Sequence, residues 1–248
     1  MTEYLDTSAG RRIAYNQSEG RGTGVVFLGG FRSDMQGTKA VALEEWARSQ
    51  GRPFLRFDYS GHGESSGNFE EGAIGDWFAD ASAAISALTQ GPQVLVGSSM
   101  GGWIALLLAR AMPQKIAGLV TVAAAPDFTE QGFWAGFTKV QRARLIADGK
   151  IEIPSDYDAP YAITHRLIED GRAHLVMQQP LDLPFPVRLL QGTMDADVPM
   201  EWALELLEHA TGTDIRLTLV KGADHRFSTP DCLAQITTSV EEVLAAAG

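Results

Sequence analysis

Gly97-Ser98-Ser99-Met100-Gly101 lies between one apolar run, Val94-Leu95-Val96, and a second that extends from Trp103 to Ala109. A serine held at a sharp strand-to-helix turn can attack a carbonyl carbon, because the turn lifts its hydroxyl clear of the backbone. So tight a turn leaves no room for neighbouring Cβ atoms, hence the flanking glycines. The helix that follows offers free N–H groups to an oxyanion forming beside the serine. The pattern alone is weak, since Gly63-Glu64-Ser65-Ser66-Gly67 also matches it. Ser65, however, follows a polar, glycine-rich loop and launches no apolar helix. Context therefore makes Ser99 the nucleophile and Ser65 a loop residue.

A serine hydroxyl needs a base to take its proton, and the base needs a third group to fix its tautomer. In strand–turn–helix hydrolases the order along the chain is serine, acid, histidine. His225 sits in a loop, Gly222-Ala223-Asp224-His225-Arg226-Phe227, just after the last expected strand, where it can swing over the turn. His165, His174 and His209 lie in or beside helical segments, and His62 precedes the nucleophile and braces a glycine-rich loop. The acid is expected from Leu190-Gln191-Gly192-Thr193-Met194-Asp195, a strand, a glycine, then a carboxylate. Asp195 is the choice. Asp197 is placed to cap the helix opening near Pro199, and Asp224 adjoins His225 too closely to orient it. Asp58 ends a strand and is placed to meet the His62 loop. Leu28-Gly29-Gly30-Phe31 supplies the other half of an oxyanion hole, so the N–H groups of Phe31 and Met100 converge.

Those residues need a scaffold. Val25–Leu28, Phe54–Phe57, Val94–Val96, Ala117–Ala124, Val187–Leu190 and Ile215–Val220 are short apolar runs, and helical segments follow most of them. The helices are expected at Ala40–Arg48, Trp77–Leu88, after Ser99, at Glu201–His209 and at Leu233–Ala245, with Ile13–Tyr15 as a short first strand. Continuous apolar strands alternating with helices imply an α/β fold with a mainly parallel sheet covered on both faces. The alternation lapses between Pro126 and Pro186, too long a stretch for a plain loop. Residues 127–185 are read as a small helical lid inserted between two sheet strands, with Tyr161–Asp170 as one of its helices. Phe133, Trp134, Phe137, Tyr157 and Tyr161 give it apolar surface enough to line a substrate pocket.

The chain has 248 residues, which suits one domain. A net charge of −11 without basic runs argues against nucleic acid as a partner. Cys232 is the single cysteine and excludes an intrachain disulfide. No apolar run is long enough for a membrane span, and the N-terminal residues lack the pattern of a signal peptide, so a cytoplasmic location is expected. No His/Cys/Asp cluster has metal-ligand spacing and no dinucleotide fingerprint is visible, so neither metal nor cofactor is expected.

Taken together, the residues from Gly29 through His225 resemble the α/β-hydrolase superfamily. Ser33-Asp34-Met35 followed by Gly37-Thr38-Lys39-Ala40, Arg56-Phe57-Asp58-Tyr59-Ser60-Gly61, and the turn at Ser99 are similar to a narrower group. It is the α/β-hydrolase domain-containing family that includes mitochondrial palmitoyl-protein thioesterase, also known as mycophenolic acid acyl-glucuronide esterase. The resemblance implies a serine hydrolase of acyl esters or thioesters, with Ser99, Asp195 and His225 at the matching positions. Its substrate would be a small acyl ester or thioester, or an S-acylated protein. No presequence of mitochondrial type is seen, and the lid matches least well. The same triad could instead serve carbon–carbon bond hydrolysis or perhydrolysis, and a non-catalytic binding protein could keep the same fold.

Overall fold

The computed structural model describes residues 2–153 and 160–247, so Tyr157 lies outside the described residues. Strands β1 (Glu3–Asp6), β2 (Arg12–Ser18) and β3 (Val25–Leu28) open the chain, followed by helix α1 (Thr38–Ser49), β4 (Phe54–Phe57) and α2 (Ile74–Leu88). Then come β5 (Gln93–Ser98), α3 (Met100–Ala111) and β6 (Ile116–Val122). An insertion holds a π-helical turn (Thr129–Trp134), α4 (Lys139–Asp148), β7 (Lys150–Ile153), β8 (Tyr161–Thr164), α5 (His165–Ala173) and β9 (Leu181–Asp182). The chain closes with β10 (Val187–Gly192), α6 (Met200–His209), β11 (Ala210–Thr211), β12 (Ile215–Val220) and α7 (Pro230–Ala247).

Eight strands form one sheet in the order β1-β2-β4-β3-β5-β6-β10-β12. The β1–β2 and β2–β4 pairs are antiparallel and the other five are parallel, so all the central strands point the same way. Every residue of β3 and β5 is buried, as expected for strands covered on both faces. Leu43 and Ala47 of α1 and Ile236 and Val240 of α7 fill one face together with buried Cys232. Trp77 and Ile85 of α2, Trp103 and Leu106 of α3 and Leu206 of α6 fill the other.

Two expectations needed correction. The sheet begins one strand earlier than Ile13, with β1, whose mostly exposed residues leave no apolar run to read. The segment expected as a helix from Tyr161 to Asp170 is a strand followed by a helix. Tyr161–Thr164 pairs antiparallel with β7, and the Thr164 hydroxyl then accepts the N–H of Leu167 at 3.1 Å, which starts α5. The insertion is therefore mixed, a β-hairpin among short helices, rather than helical throughout. Thr138 and Gln141 form a reciprocal capping box at the start of α4, and Gly149, at φ 78°, ends it.

Backbone strain gathers at one edge of this architecture. Among the described residues, five that are not glycine adopt positive φ: Arg32, Ser99, Ala123, Asp127 and Phe227. All five lie in the connections that leave the C-terminal ends of β3, β5, β6 and β12, where α/β sheets bind ligands. Such conformations cost on the order of 1–3 kcal/mol each and persist where the surroundings hold them.

Candidate active site

Ser99 has φ 54° and ψ −119° between the last residue of β5 and the first of α3. The turn is pinned on both sides, since Ser99 N donates to Val122 O at 2.9 Å while Ser99 O accepts from Gly102 N and Ala125 N. Two glycines make the packing possible. A Cβ on Gly97 would collide with the Gly101 carbonyl, and one on Gly101 with the Leu28 carbonyl. The backbone after β3 thus lies directly against the turn; a Cβ on Gly30 would come 3.4 Å from the Ser99 Cβ.

Asp195 and His225 meet across the ends of β10 and β12. The Nδ1 of His225 lies 2.9 Å from Oδ2 of Asp195, whose side chain is wholly buried while that of His225 is 19% exposed. Both carboxylate oxygens have further donors. Oδ1 accepts the N–H groups of Asp197 and Val198 at 3.0 and 2.8 Å, and Oδ2 accepts Gln191 Nε2 at 3.1 Å. Asp197 itself is exposed, and Asp224 accepts the N–H of Phe227 within the histidine loop. Asp195, Asp197 and His225 bring ligand atoms within 4.8 Å of one another, as a metal site would. Asp195 already receives four hydrogen bonds, about the capacity of a carboxylate, so a cation there would have to displace some of them.

Ser99 and His225 line one cavity of about 580 Å³. Its apolar wall includes Phe31, Phe128, Phe133, Tyr161, Val198 and Trp202. Its polar wall includes Ser33, Thr38, Lys39, Arg226 and Ser228. Lys39 donates to the carbonyl of Arg226, and burial pushes its ammonium pKa down to about 8. Of the aromatic residues expected to line a pocket, Phe133 and Tyr161 do so. Trp134 instead lies between the guanidinium groups of Arg142 and Arg172, and Phe137 stacks on Phe133 within the core. Trp202 and Lys39 carried no sequence signal for this position. Both are helix residues whose facing depends on the loop before them.

Phe31 is the hub of the apolar wall. Its ring makes edge contacts with Phe69, Trp77, Phe128, Phe133 and Tyr161, at centroid distances from 4.8 to 6.0 Å. Met100, the other expected oxyanion donor, is buried as the first residue of α3. The second serine of matching pattern is used differently. Ser65 Oγ accepts from Ala14 N at 2.8 Å and donates to Asp58 O at 2.7 Å. Asp58, its carboxyl pKa raised by burial, accepts from Met35 N and Glu64 N and so joins the His62 loop to the segment after β3.

Residues 23–151 match the profile of the serine aminopeptidase S33 family of hydrolases. The chain belongs to that α/β-hydrolase family. Over 237 residues it is 35% identical to a Bos taurus protein named "Palmitoyl-protein thioesterase ABHD10, mitochondrial", covering 94% of this chain and 76% of the relative. A solved protein of Agrobacterium vitis S4 superposes with a TM-score of 0.94 at 38% identity and 98% coverage of each chain. Alpha/beta hydrolase domain-containing protein 10 from mouse superposes with a TM-score of 0.93 at 31% identity and 100% coverage of each. The α/β-hydrolase fold expected from the sequence is thereby established, and the chain is an enzyme of the hydrolase class. One expectation falls. The name of the cattle relative is mitochondrial, which overturns the cytoplasmic location read from the N-terminal residues. No helix among the described residues is long and apolar enough to cross a membrane.

Proposed function

We propose that this enzyme hydrolyses acyl esters or thioesters through an acyl-enzyme formed on Ser99. The observation that carries the reading is the contact of buried Asp195 with His225 Nδ1, in a cavity that Ser99 also lines. Asp195 accepts a hydrogen bond from Nδ1–H, which keeps the proton on Nδ1, leaves Nε2 as the base and orients the ring. Ser99 Oγ attacks the acyl carbonyl carbon as its proton passes to His225 Nε2. The resulting oxyanion is held by the N–H groups of Phe31 and Met100, donors that are fixed before the reaction and need no reorganisation. Collapse breaks the bond to the leaving thiol or alcohol, which takes the proton from His225. Water then repeats the sequence on the acyl-enzyme, with His225 again as base, releasing the acid and freeing Ser99.

The aromatic wall around Phe31 suits the acyl group, and the polar wall at Lys39 and Arg226 suits a hydrophilic leaving group. The relative's name, a palmitoyl-protein thioesterase, supports thioesters and S-acylated proteins as substrates. A fluorophosphonate probe should label Ser99, and p-nitrophenyl esters, acyl-CoA and S-acyl peptides compared at equal chain length should define the leaving group. A folded protein that neither reacts with the probe nor turns over any member of the panel would sink the reading.

A further inference from the structure

We infer that His62 is a positioning residue for the oxyanion hole, acting through the backbone of Arg32; this rests on the hydrolase reading above. Arg32 follows Phe31 directly and has φ 58°, a conformation that a side chain with a Cβ adopts only when something holds it. Its N–H donates to Nε2 of His62 at 3.3 Å. His62 is itself held. Nδ1 lies 3.2 Å from the Ser60 carbonyl, which can only accept, so the Nδ1 proton is in place and Nε2 presents its lone pair to Arg32. Trp77 Nε1 donates to the same carbonyl at 3.1 Å, and the buried carboxylate of Asp80 accepts both the N–H and the hydroxyl of Ser60.

Three aromatic rings, Tyr59, Phe69 and Trp77, close around the imidazole at centroid distances of 5.6, 5.1 and 5.1 Å. Only 4% of His62 is exposed, and that burial pushes its pKa down to about 4, with Arg32 adding to the fall and Asp80 opposing it. The ring therefore stays neutral, as an acceptor must. On its far side Arg32 reaches the insertion. Its guanidinium donates to the carbonyl of Pro160 at 3.1 Å and packs over the rings of Phe69 and Tyr161. The Phe31–Arg32 peptide is thus fixed between a rigid imidazole and the insertion, and the adjoining Gly30–Phe31 peptide, which carries the Phe31 N–H, has its carbonyl held by the N–H and hydroxyl of Ser33 at 3.2 and 2.8 Å. Without the Nε2 acceptor the left-handed turn at Arg32 relaxes and the donor swings from the position the oxyanion will occupy.

The test compares His62→Leu, His62→Gln and His62→Asn. The Gln side chain can place an oxygen where Nε2 stood; the shorter Asn can reach Ser60 but not Arg32. Steady-state kinetics on a p-nitrophenyl ester would be read beside the affinity of an alkyl boronic acid, which forms a tetrahedral adduct on Ser99 and requires the oxyanion hole. Loss of an oxyanion donor costs about 10²–10³ in kcat, so its misplacement should cost about 10–100-fold. Leu and Asn should lower kcat by that factor with KM within threefold, lower boronate affinity in parallel, and leave Gln near the natural enzyme.

Equal kcat for folded Gln and Asn variants would overturn the inference, even if His62→Leu does not fold. So would a loss of kcat that leaves boronate affinity unchanged. Should the unaltered enzyme prove inert to both ester and fluorophosphonate, the hydrolase reading falls and the inference with it. Activity in that enzyme with indifferent variants removes the inference alone.

Discussion

Two loops of this protein share the pattern Gly-x-Ser-x-Gly and use it in opposite senses. At Ser99 the backbone is bent to a positive φ, and the residue lines a cavity that His225 also lines. At Ser65 the hydroxyl is spent on the backbone, receiving one N–H and donating to one carbonyl, and so ties the 61–67 loop to β2 and the end of β4. In the first loop the main chain serves a side chain; in the second a side chain serves the main chain. The two serines are thus set apart less by their neighbours in sequence than by the elements that flank them.

The sharpest way to break this comparison is to remove each hydroxyl. Ser99→Ala should abolish turnover, a loss of about 10⁴–10⁶ in kcat, with the fold intact. Ser65→Ala should leave kcat within a few fold but cost about 1–3 kcal/mol of stability, because Ala14 N loses its acceptor. Ester hydrolysis and thermal unfolding on both variants read the two effects separately. Comparable activity in Ser99→Ala would end the assignment.

The same contrast divides Asp195 from Asp197. Asp195→Asn keeps the shape but presents the wrong hydrogen-bonding pattern to His225 Nδ1, and a loss of about 10³–10⁴ in kcat is expected. Asp197 contributes its own N–H to Asp195 through the backbone, which Asp197→Asn preserves, so that variant should stay within a few fold. Kinetics at matched pH decide it. If Asp197→Asn proved the crippling change, the acid would be misassigned while the nucleophile stood.

How much of this was legible from sequence follows from the reach of each interaction. Ser99, Asp195 and His225 could be proposed together because each follows an apolar strand, and a parallel sheet brings such positions to one edge; the structure does join Asp195 to His225 and places Ser99 and His225 on one cavity. Thr164 hid the β8–α5 boundary, since Tyr161 to Asp170 offers apolar residues to either period until the threonine hydroxyl is seen to cap Leu167. The Phe31 cage draws its rings from five separate positions between Phe69 and Tyr161, and no periodicity relates them. The sequence marks His62 as a loop brace; that it braces Arg32, 30 residues earlier, is a tertiary fact.

Acid should expose that brace. A histidine whose pKa falls from 6.5 to about 4 on folding binds its proton more weakly in the folded chain. Between those values the unfolded chain carries more protons, so stability rises with pH there. The contribution of neutral His62 is complete above pH 6.5 and is lost progressively toward pH 4, by about 3 kcal/mol in all. Chemical denaturation from pH 7 to 4 should therefore give a steeper decline for the natural protein than for His62→Gln, which has nothing to titrate at that position. The difference between the two curves cancels the other groups with perturbed pKa values. Parallel curves would mean that His62 is not held neutral by the fold.

The smallest effect expected separates two adjacent aromatic residues in the insertion. Phe133 lines the cavity and touches Phe31, whereas the indole of Trp134 is held between Arg142 and Arg172 at 5.1 and 4.4 Å. If the aromatic wall holds the acyl chain, trimming Phe133 removes contacts that only a longer chain can make. Such contacts are worth about 1–3 kcal/mol, so Phe133→Ala should lower kcat/KM for a long acyl ester about tenfold more than for an acetyl ester. Trp134→Ala loosens the scaffold instead and should scale short and long substrates by one common factor. Assays across short, medium and long p-nitrophenyl esters, with Tm recorded for each variant, distinguish the two. Should Phe133→Ala also scale every ester alike, chain-length preference would arise elsewhere on the wall, and the contrast between serving the substrate and serving the fold would not extend into the insertion.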